Sequence, residues 1–375
     1  MRIEHTLLDR VLELAVSVQQ IPAPTFAETR RAQYVHDRFL DEGLADVSMD
    51  NLGNVYARLP GIGSAPALVI SAHLDTVFPE STDLRVTYSP ERIAGPGIGD
   101  NSLGVAGLFG LLWALRQMSV MLDHDLWLVA NVGEEGLGDL NGMRAVVDRF
   151  GDQVGAYIVL EGMAFGQIYY RGLGVKRYAI RVQTQGGHSW VDYGKPSAVH
   201  ELAKIIILLN DLPIPERPRT TLNVGVIKGG TTVNTIASEA YLELDLRSEE
   251  DDVLKGLSTQ VEDLVASSNL PGIMVSAEVI GRRPAGEISL EHPLVQLAGR
   301  CLQAQGISPR INIGSTDANV PLSRGLPAIC IGLTAGSGAH TTDEFIYKPP
   351  LAGGLAQLVS LVEQFASQVS DLGNG

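Results

Sequence analysis

Three apolar, β-branched runs in this chain each end in groups that are costly to bury. They are Ala67-Leu-Val-Ile-Ser-Ala-His73-Leu-Asp75, Asp125-Leu-Trp-Leu-Val-Ala-Asn-Val132 with Gly133-Glu134-Glu135-Gly136 after it, and Ala156-Tyr-Ile-Val-Leu-Glu161-Gly162. Such runs read as buried strands of an α/β sheet. Open α/β sheets place their ligands at the carboxyl ends of the strands. Each ending alone is compatible with an ordinary solvated loop. Together they line one sheet edge with a histidine and several acids, which repel one another unless cations neutralise them.

Other stretches add donors of the same kind. His73 and Asp75 lie two apart, so on an extended backbone they share a side. Asp75 is then placed to hydrogen-bond one imidazole nitrogen and leave the other for a metal. Gly95-Pro-Gly-Ile-Gly-Asp100-Asn-Ser-Leu-Gly-Val-Ala-Gly carries Asp100 at the mouth of an apolar helix running to about Leu115. Asn101 or Ser102 is expected to cap that helix. The stretch lacks the lysine of a phosphate loop and the Rossmann spacing. Gly336-Ser-Gly-Ala-His340-Thr-Thr-Asp-Glu brings a second histidine on a glycine-rich loop.

The rest of the chain organises around this edge. At 375 residues it is too long for one small core, which makes two domains the expectation. A helix over Thr6–Gln20 precedes Thr25-Phe-Ala-Glu28, which reads as a capping box opening a second helix. The pattern changes near Gly172. A strand over Val175–Gln185 and a helix over Ser197–Leu209 are followed by strands carrying Leu222, Val224, Val226 and Leu242, Leu244, Leu246. A helix near Asp252–Ser267 and a strand near Ile273–Ile280 complete a β-α-β-β-α-β order, the ferredoxin-like unit. This predicts an α+β domain at 172–281 inserted into an α/β domain made of 1–171 and 282–375, with a mixed sheet between helices.

The formal charge of −15, with no Lys/Arg cluster, argues against nucleic acid and anionic membranes. No apolar run reads as long enough to span a bilayer, and Met-Arg-Ile-Glu-His lacks a signal core. Cys301 and Cys330 fit no zinc or redox spacing and read as reduced core residues, so a cytoplasmic protein is expected.

His73, Asp100, Glu135, Glu161 and His340 form an all-N/O donor set that suits Zn²⁺, and also Co²⁺ or Mn²⁺. One bridging carboxylate lets these five hold two divalent ions. Asp100 is the natural bridge, because each ion then has one His, one Glu and a share of it. Glu134, adjacent to a ligand and not needed as one, is the expected general base. Arg247 lies opposite the Leu242–Leu246 face of its strand, where a guanidinium fork suits a substrate carboxylate; an ion pair with Glu243 or Asp245 is the alternative. His188, after two glycines at the first turn of the inserted domain, is expected to donate to a substrate oxyanion. An exposed edge strand there invites pairing with a second copy.

Ser71-Ala-His-Leu-Asp75, Gly99-Asp100-Asn101, Gly133-Glu-Glu135, Leu160-Glu161-Gly162, Gly186-Gly-His-Ser189 and Ala339-His340-Thr-Thr-Asp-Glu344 resemble, in order, the motifs of the M20 metallopeptidases. That family includes glutamate carboxypeptidase, peptidase T, dipeptidases, acetylornithine deacetylase and succinyl-diaminopimelate desuccinylase. The resemblance implies a zinc-peptidase-like catalytic domain with an inserted dimerisation or lid domain. It implies one zinc on His73, Asp100 and Glu161, and another on Asp100, Glu135 and His340. It also implies that Asp75 orients His73, that Glu134 is the base, and that a cis peptide follows Asp100. Asn234 adds a hydrogen bond to substrate by the same resemblance. In dimeric members the histidine matching His188 works in the partner's cleft, so a homodimer is expected. Glu at 161 fits the carboxypeptidase and peptidase-like members better than the dipeptidases and deacetylases.

The activity expected is hydrolysis of an amide bond in small peptides. An N-acyl-amino-acid deacylase on the same site is the alternative, since water attack on an amide is common to both. An M28-type aminopeptidase is disfavoured by the inserted domain. A non-catalytic metal-binding protein is disfavoured by the spare carboxylate of Glu134.

Overall fold

The computed structural model describes residues 3–369 and divides into two compact units. The outermost parts of the expected α/β domain, 1–2 and 370–375, lie outside the described residues.

One unit comprises residues 3–172 and 286–369. Its centre is a nine-stranded mixed sheet. The strands His124–Asn131, Ala65–His73, Val154–Glu161 and Ala328–Gly332 lie side by side and parallel. Antiparallel neighbours flank them, Val55–Leu59 beyond His124–Asn131 and Gln167–Gly172 beyond Ala328–Gly332. The three acid-tipped strands are thus consecutive in the sheet. In register, His73 pairs with Asn131 and Gly332 with Glu161, so their polar ends emerge at one edge.

These strands are apolar on both faces because helices cover both. The Leu103–Gln117 helix is buried along almost its whole length. The stretch Ile98–Gln117 is long and apolar enough to cross a membrane by length and composition, with a mean hydropathy of 1.3, contrary to the reading that no such run exists. It is 94% buried as the central helix of this fold, which accounts for its composition.

Two expected helix starts differ. The Thr29–Asp41 helix begins at Glu28 without a side-chain cap, so no capping box forms. The Thr25 hydroxyl donates to Asp75 instead (2.9 Å), and the Glu28 carboxylate accepts from Phe26 N–H and Gly133 N–H. Ser102 occupies the N-cap position of the buried helix, but its side chain makes no capping hydrogen bond. The Asn101 side chain donates to the Leu160 carbonyl (2.7 Å) and accepts from Gly162 N–H (3.0 Å), tying the Asp100 loop to the end of the Glu161 strand. Gly162 permits this approach, since a Cβ there would meet the Gly99 carbonyl oxygen at 2.0 Å. The Asp100–Asn101 peptide is cis.

The other unit is Leu173–Ala285. Its antiparallel sheet has the order Thr220–Gly229, Glu239–Ser248, Gly174–Thr184, Ile273–Arg283. Written by sequence this is 2-3-1-4, the ferredoxin-like order. Alternation explains its one-sided core. Tyr178, Ile180, Val182, Leu242, Leu244 and Leu246 are buried with Leu202 and Ile205 of the Ala198–Asn210 helix and Leu257 and Val261 of the Asp251–Ser267 helix. The last strand runs past Ile280 to Arg283 through a bulge between Val279 and Gly281.

Candidate active site

The five expected donors converge at the sheet edge. His73 Nε2 lies 3.1 Å from Asp100 Oδ1 and 3.9 Å from Glu161 Oε2. His340 Nε2 lies 3.2 Å from Asp100 Oδ2 and 3.2 Å from Glu135 Oε1. Each oxygen of Asp100 therefore faces a different histidine. The trios His73–Asp100–Glu161 and Asp100–Glu135–His340 each offer donor atoms within 4.8 Å of one another. A tetrahedral ion with bonds of about 2.0–2.1 Å has its donors about 3.3 Å apart, so the spacing fits two divalent ions sharing Asp100. His73, Glu134, Glu135 make a third such group, so Glu134 also lies within reach of a ligand.

The donors perturb one another strongly. Burial pushes the Glu161 carboxyl well up, and Asp100 and Glu134 push it further against the pull of His73. Burial also disfavours the charged forms of His73 and Asp100. Their mutual contact, with Asp75 beside His73 and His340 beside Asp100, outweighs it, holding the imidazole well above and the Asp100 carboxyl well below their ordinary values. Contacts with Asp100 and Glu135 raise His340 to about 10. His340 is the open side of the cluster; its side chain is 56% exposed, whereas His73 is buried.

Asp75 touches His73, as expected, and also holds a neighbouring turn. His73 Nδ1 is 3.0 Å from the Asp75 backbone carbonyl and 3.5 Å from its carboxylate. The bond to the carbonyl fixes Nδ1 as the protonated nitrogen and leaves Nε2 for the cluster. The carboxylate is engaged elsewhere, accepting from the backbone N–H of Glu134 (3.0 Å) and Glu135 (2.8 Å). It positions the turn that carries the expected base.

Glu344 closes the Ala339–Glu344 motif, and the sequence marks no role for it. Glu344 is fully buried and accepts from three backbone N–H groups, those of Gly97 (3.0 Å), Gly99 (2.6 Å) and Asp100 (2.8 Å). Its partners are backbone atoms, which leave no side-chain signal in a sequence.

Three expected substrate residues belong to the Leu173–Ala285 unit. His188 is exposed in a short ladder of Gly187–His188 with Thr235–Ile236. Its Nδ1 accepts from Trp190 N–H (3.2 Å), which places the ring hydrogen on Nε2, free to donate outward. Asn234 lies on the facing loop, its carbonyl accepting from Ser189 N–H. Arg247 is paired with Asp245 (2.7 Å), the alternative that the spacing left open. Arg177 shares that carboxylate at 2.9 Å, so two guanidiniums face one acid.

Comparison with known proteins gives one family. The model of peptidase family M20/M25/M40 matches residues 69–364. An acetylornithine deacetylase of Klebsiella pneumoniae (strain 342) is 27% identical over 303 residues, covering 75% of this chain and 76% of that protein. A tripeptidase structure from Staphylococcus aureus superposes with a TM-score of 0.81 at 21% identity, covering 96% of this chain and 99% of that one. A Bacillus subtilis protein described as a dinuclear metal binding peptidase from the M20 family superposes with a TM-score of 0.70 at 15% identity, covering 97% and 100%.

Proposed function

The chain belongs to peptidase family M20/M25/M40, and from that premise we propose that it hydrolyses the amide bond of small peptides at a site for two divalent metal ions. The observation that carries this reading is Asp100, with one oxygen toward His73 and the other toward His340. His73, Asp100 and Glu161 would hold one ion, and Asp100, Glu135 and His340 the other. Zn²⁺ suits this donor set best, with Co²⁺ or Mn²⁺ able to replace it. Such ions, when bound, supply Lewis acidity and an acidified water.

The chain's own groups do the rest. Glu134 takes a proton from the attacking water and delivers it to the leaving nitrogen, so the base ends the cycle ionised again. Asp75 holds the backbone of Glu134 and Glu135 in place. Arg247 takes the substrate carboxylate, and Asn234 adds a hydrogen bond. His188 donates its Nε2–H to the oxyanion of the tetrahedral intermediate from the neighbouring subunit.

Residues 172–281 act in this proposal as a dimerisation or lid domain, and 1–171 with 282–375 as the catalytic domain. The support is the edge position of Thr220–Gly229 and the exposure of Ile207, Leu208 and Ile227, apolar surface of the kind that pairs copies. A cytoplasmic location completes the reading, supported by Cys301 and Cys330, both free and buried.

A deacylase acting on N-acyl amino acids is the second reading, favoured by the acetylornithine deacetylase among the relatives. One experiment tests both. The metal-stripped protein is reloaded with Zn²⁺ and incubated with di- and tripeptides and N-acyl amino acids, with free and blocked termini, and products are identified by mass spectrometry. Cleavage of peptides only after reloading supports the first reading. Cleavage of acyl-amino acids alone moves the conclusion to the second. Full activity with metal content measured as zero overturns the site.

A further inference from the structure

Two separate loops must meet for the second ion to have a site. Asp100 sits on the loop before the buried helix, and His340 sits in a left-handed conformation (φ 65°) on the loop after Ser337. Neither is anchored in a sheet strand, unlike His73 and Glu161, each the last residue of a central parallel strand.

Glu344 joins these loops. It lies four residues beyond His340 and is fully buried. One carboxylate oxygen accepts from Gly99 N–H and Asp100 N–H, and the other from Gly97 N–H. Its backbone carbonyl also accepts from Gly95 N–H at 2.8 Å. Both carboxylate oxygens therefore face backbone donors, and Glu344 belongs to none of the groups of donor atoms close enough to hold an ion among the described residues. The donors, Gly97, Gly99 and Asp100, come from one loop, so their directions define where the Asp100 backbone sits relative to the His340 loop. Charge-assisted bonds of this kind are short and directional.

We propose that Glu344 is a positioning residue for the second ion: by clamping residues 97–100 onto the loop of His340, it sets the distance between the bridging carboxylate and that histidine. The proposal rests on the two-ion reading above. It separates the two ions energetically. The ion on Asp100, Glu135 and His340 depends on the clamp through two ligands. The ion on His73, Asp100 and Glu161 keeps two ligands on strand ends and depends on it through one.

The test uses the full chain, stripped of metal and titrated with Co²⁺ by calorimetry and by visible absorption. Two variants are compared with the parent, Glu344→Ala and Glu344→Gln. Glutamine keeps the shape and one acceptor but turns an NH2 toward a backbone N–H, so it tests the clamp with little loss of packing. The parent is expected to bind two ions in resolvable steps. Both variants are expected to bind the first within about threefold of the parent and the second about 10–100-fold more weakly, the range found when groups behind a ligand are removed. The absorption of the second Co²⁺ changes with it, at temperatures where circular dichroism shows native structure. A purely structural role would weaken both steps alike and lower the melting temperature, and that result overturns the proposal. Two ions bound at parental affinity by the glutamine variant also overturns it. Failure of the parent to bind two ions counts instead against the underlying site reading.

Discussion

Replacing Asp75 with asparagine distinguishes two ways in which that residue can serve the site. The carboxylate is fully buried. It takes Glu134 N–H on one oxygen, and Glu135 N–H with the Thr25 hydroxyl on the other. Only its backbone carbonyl is within 3.0 Å of His73 Nδ1. Asparagine keeps that carbonyl, the side-chain shape and one acceptor oxygen, but turns an NH2 toward a buried backbone N–H. A buried donor without an acceptor costs about 1–3 kcal/mol, and loss of charge from the surviving bond costs roughly another 1 kcal/mol. The expected loss is therefore about 2–4 kcal/mol, partly offset by relief of repulsion with Glu28, whose carboxyl is raised by burial and by Asp75.

The loss falls on the turn that carries Glu134, not on His73. Misplacing a reacting group by about 1 Å costs roughly 100-fold in rate. The expected outcome for Asp75→Asn is a kcat lower by about that factor at saturating Zn²⁺, with first-ion affinity within about tenfold of the parent. Steady-state kinetics and calorimetric Zn²⁺ titration of the metal-stripped protein measure the two quantities. A variant that loses the first ion but keeps the parental kcat per bound ion would refute the reasoning. Such a result would show that the 3.5 Å contact between the carboxylate and His73 Nδ1 is the one that matters.

Further outcomes follow from the same geometry. Glu134→Gln is expected to retain metal while kcat falls about 10²–10⁴-fold, the usual contribution of a general base; loss of metal with unchanged turnover per ion would mean that Glu134 and Glu135 exchange roles, an arrangement that its proximity to His73 permits. Arg247→Ala is expected to lower kcat/KM at least about tenfold more for substrates with a free C-terminus than for amidated ones, since one guanidinium fork to a carboxylate is worth about 1.5–3 kcal/mol; equal losses would assign Arg247 to its ion pair with Asp245 alone. Mixing His188→Ala with Glu134→Gln under conditions of subunit exchange is expected to restore partial activity, because a hybrid dimer has one site with both groups intact; demonstrated exchange with no activity would show that His188 does not act in trans.

How far the sequence reaches depends on which atoms make each contact. Strand and helix spans follow from apolar periodicity, and the convergence of His73, Glu135 and Glu161 follows from three strands ending alike. Their adjacency in the sheet, between Val55–Leu59 and Ala328–Gly332, is a matter of topology that no local pattern encodes. Capping was misread because Thr25 and Asn101 have the right side chains for caps, yet each spends them on a distant partner, Asp75 and the Leu160–Gly162 backbone. Local propensity fixes what such a side chain can bond; tertiary placement decides what it does bond.

The carboxylates behind the ligands extend the same point. Asp75 was read as a partner for an imidazole because side chain meets side chain at a legible spacing. In the fold its oxygens, like those of Glu344, take backbone N–H groups of the loops that carry the ligands. Any residue except proline offers such a donor, so neither the partner nor its position is marked in the sequence. An acidic cluster proposed to hold cations gains from this arrangement. Each buried acid that accepts from backbone N–H donors orders a loop that carries a proposed ligand or base. On the two-ion proposal, the acids at this edge outnumber the ligands for a physical reason: part of the negative charge would hold the ions and part holds the backbone that presents the proposed ligands.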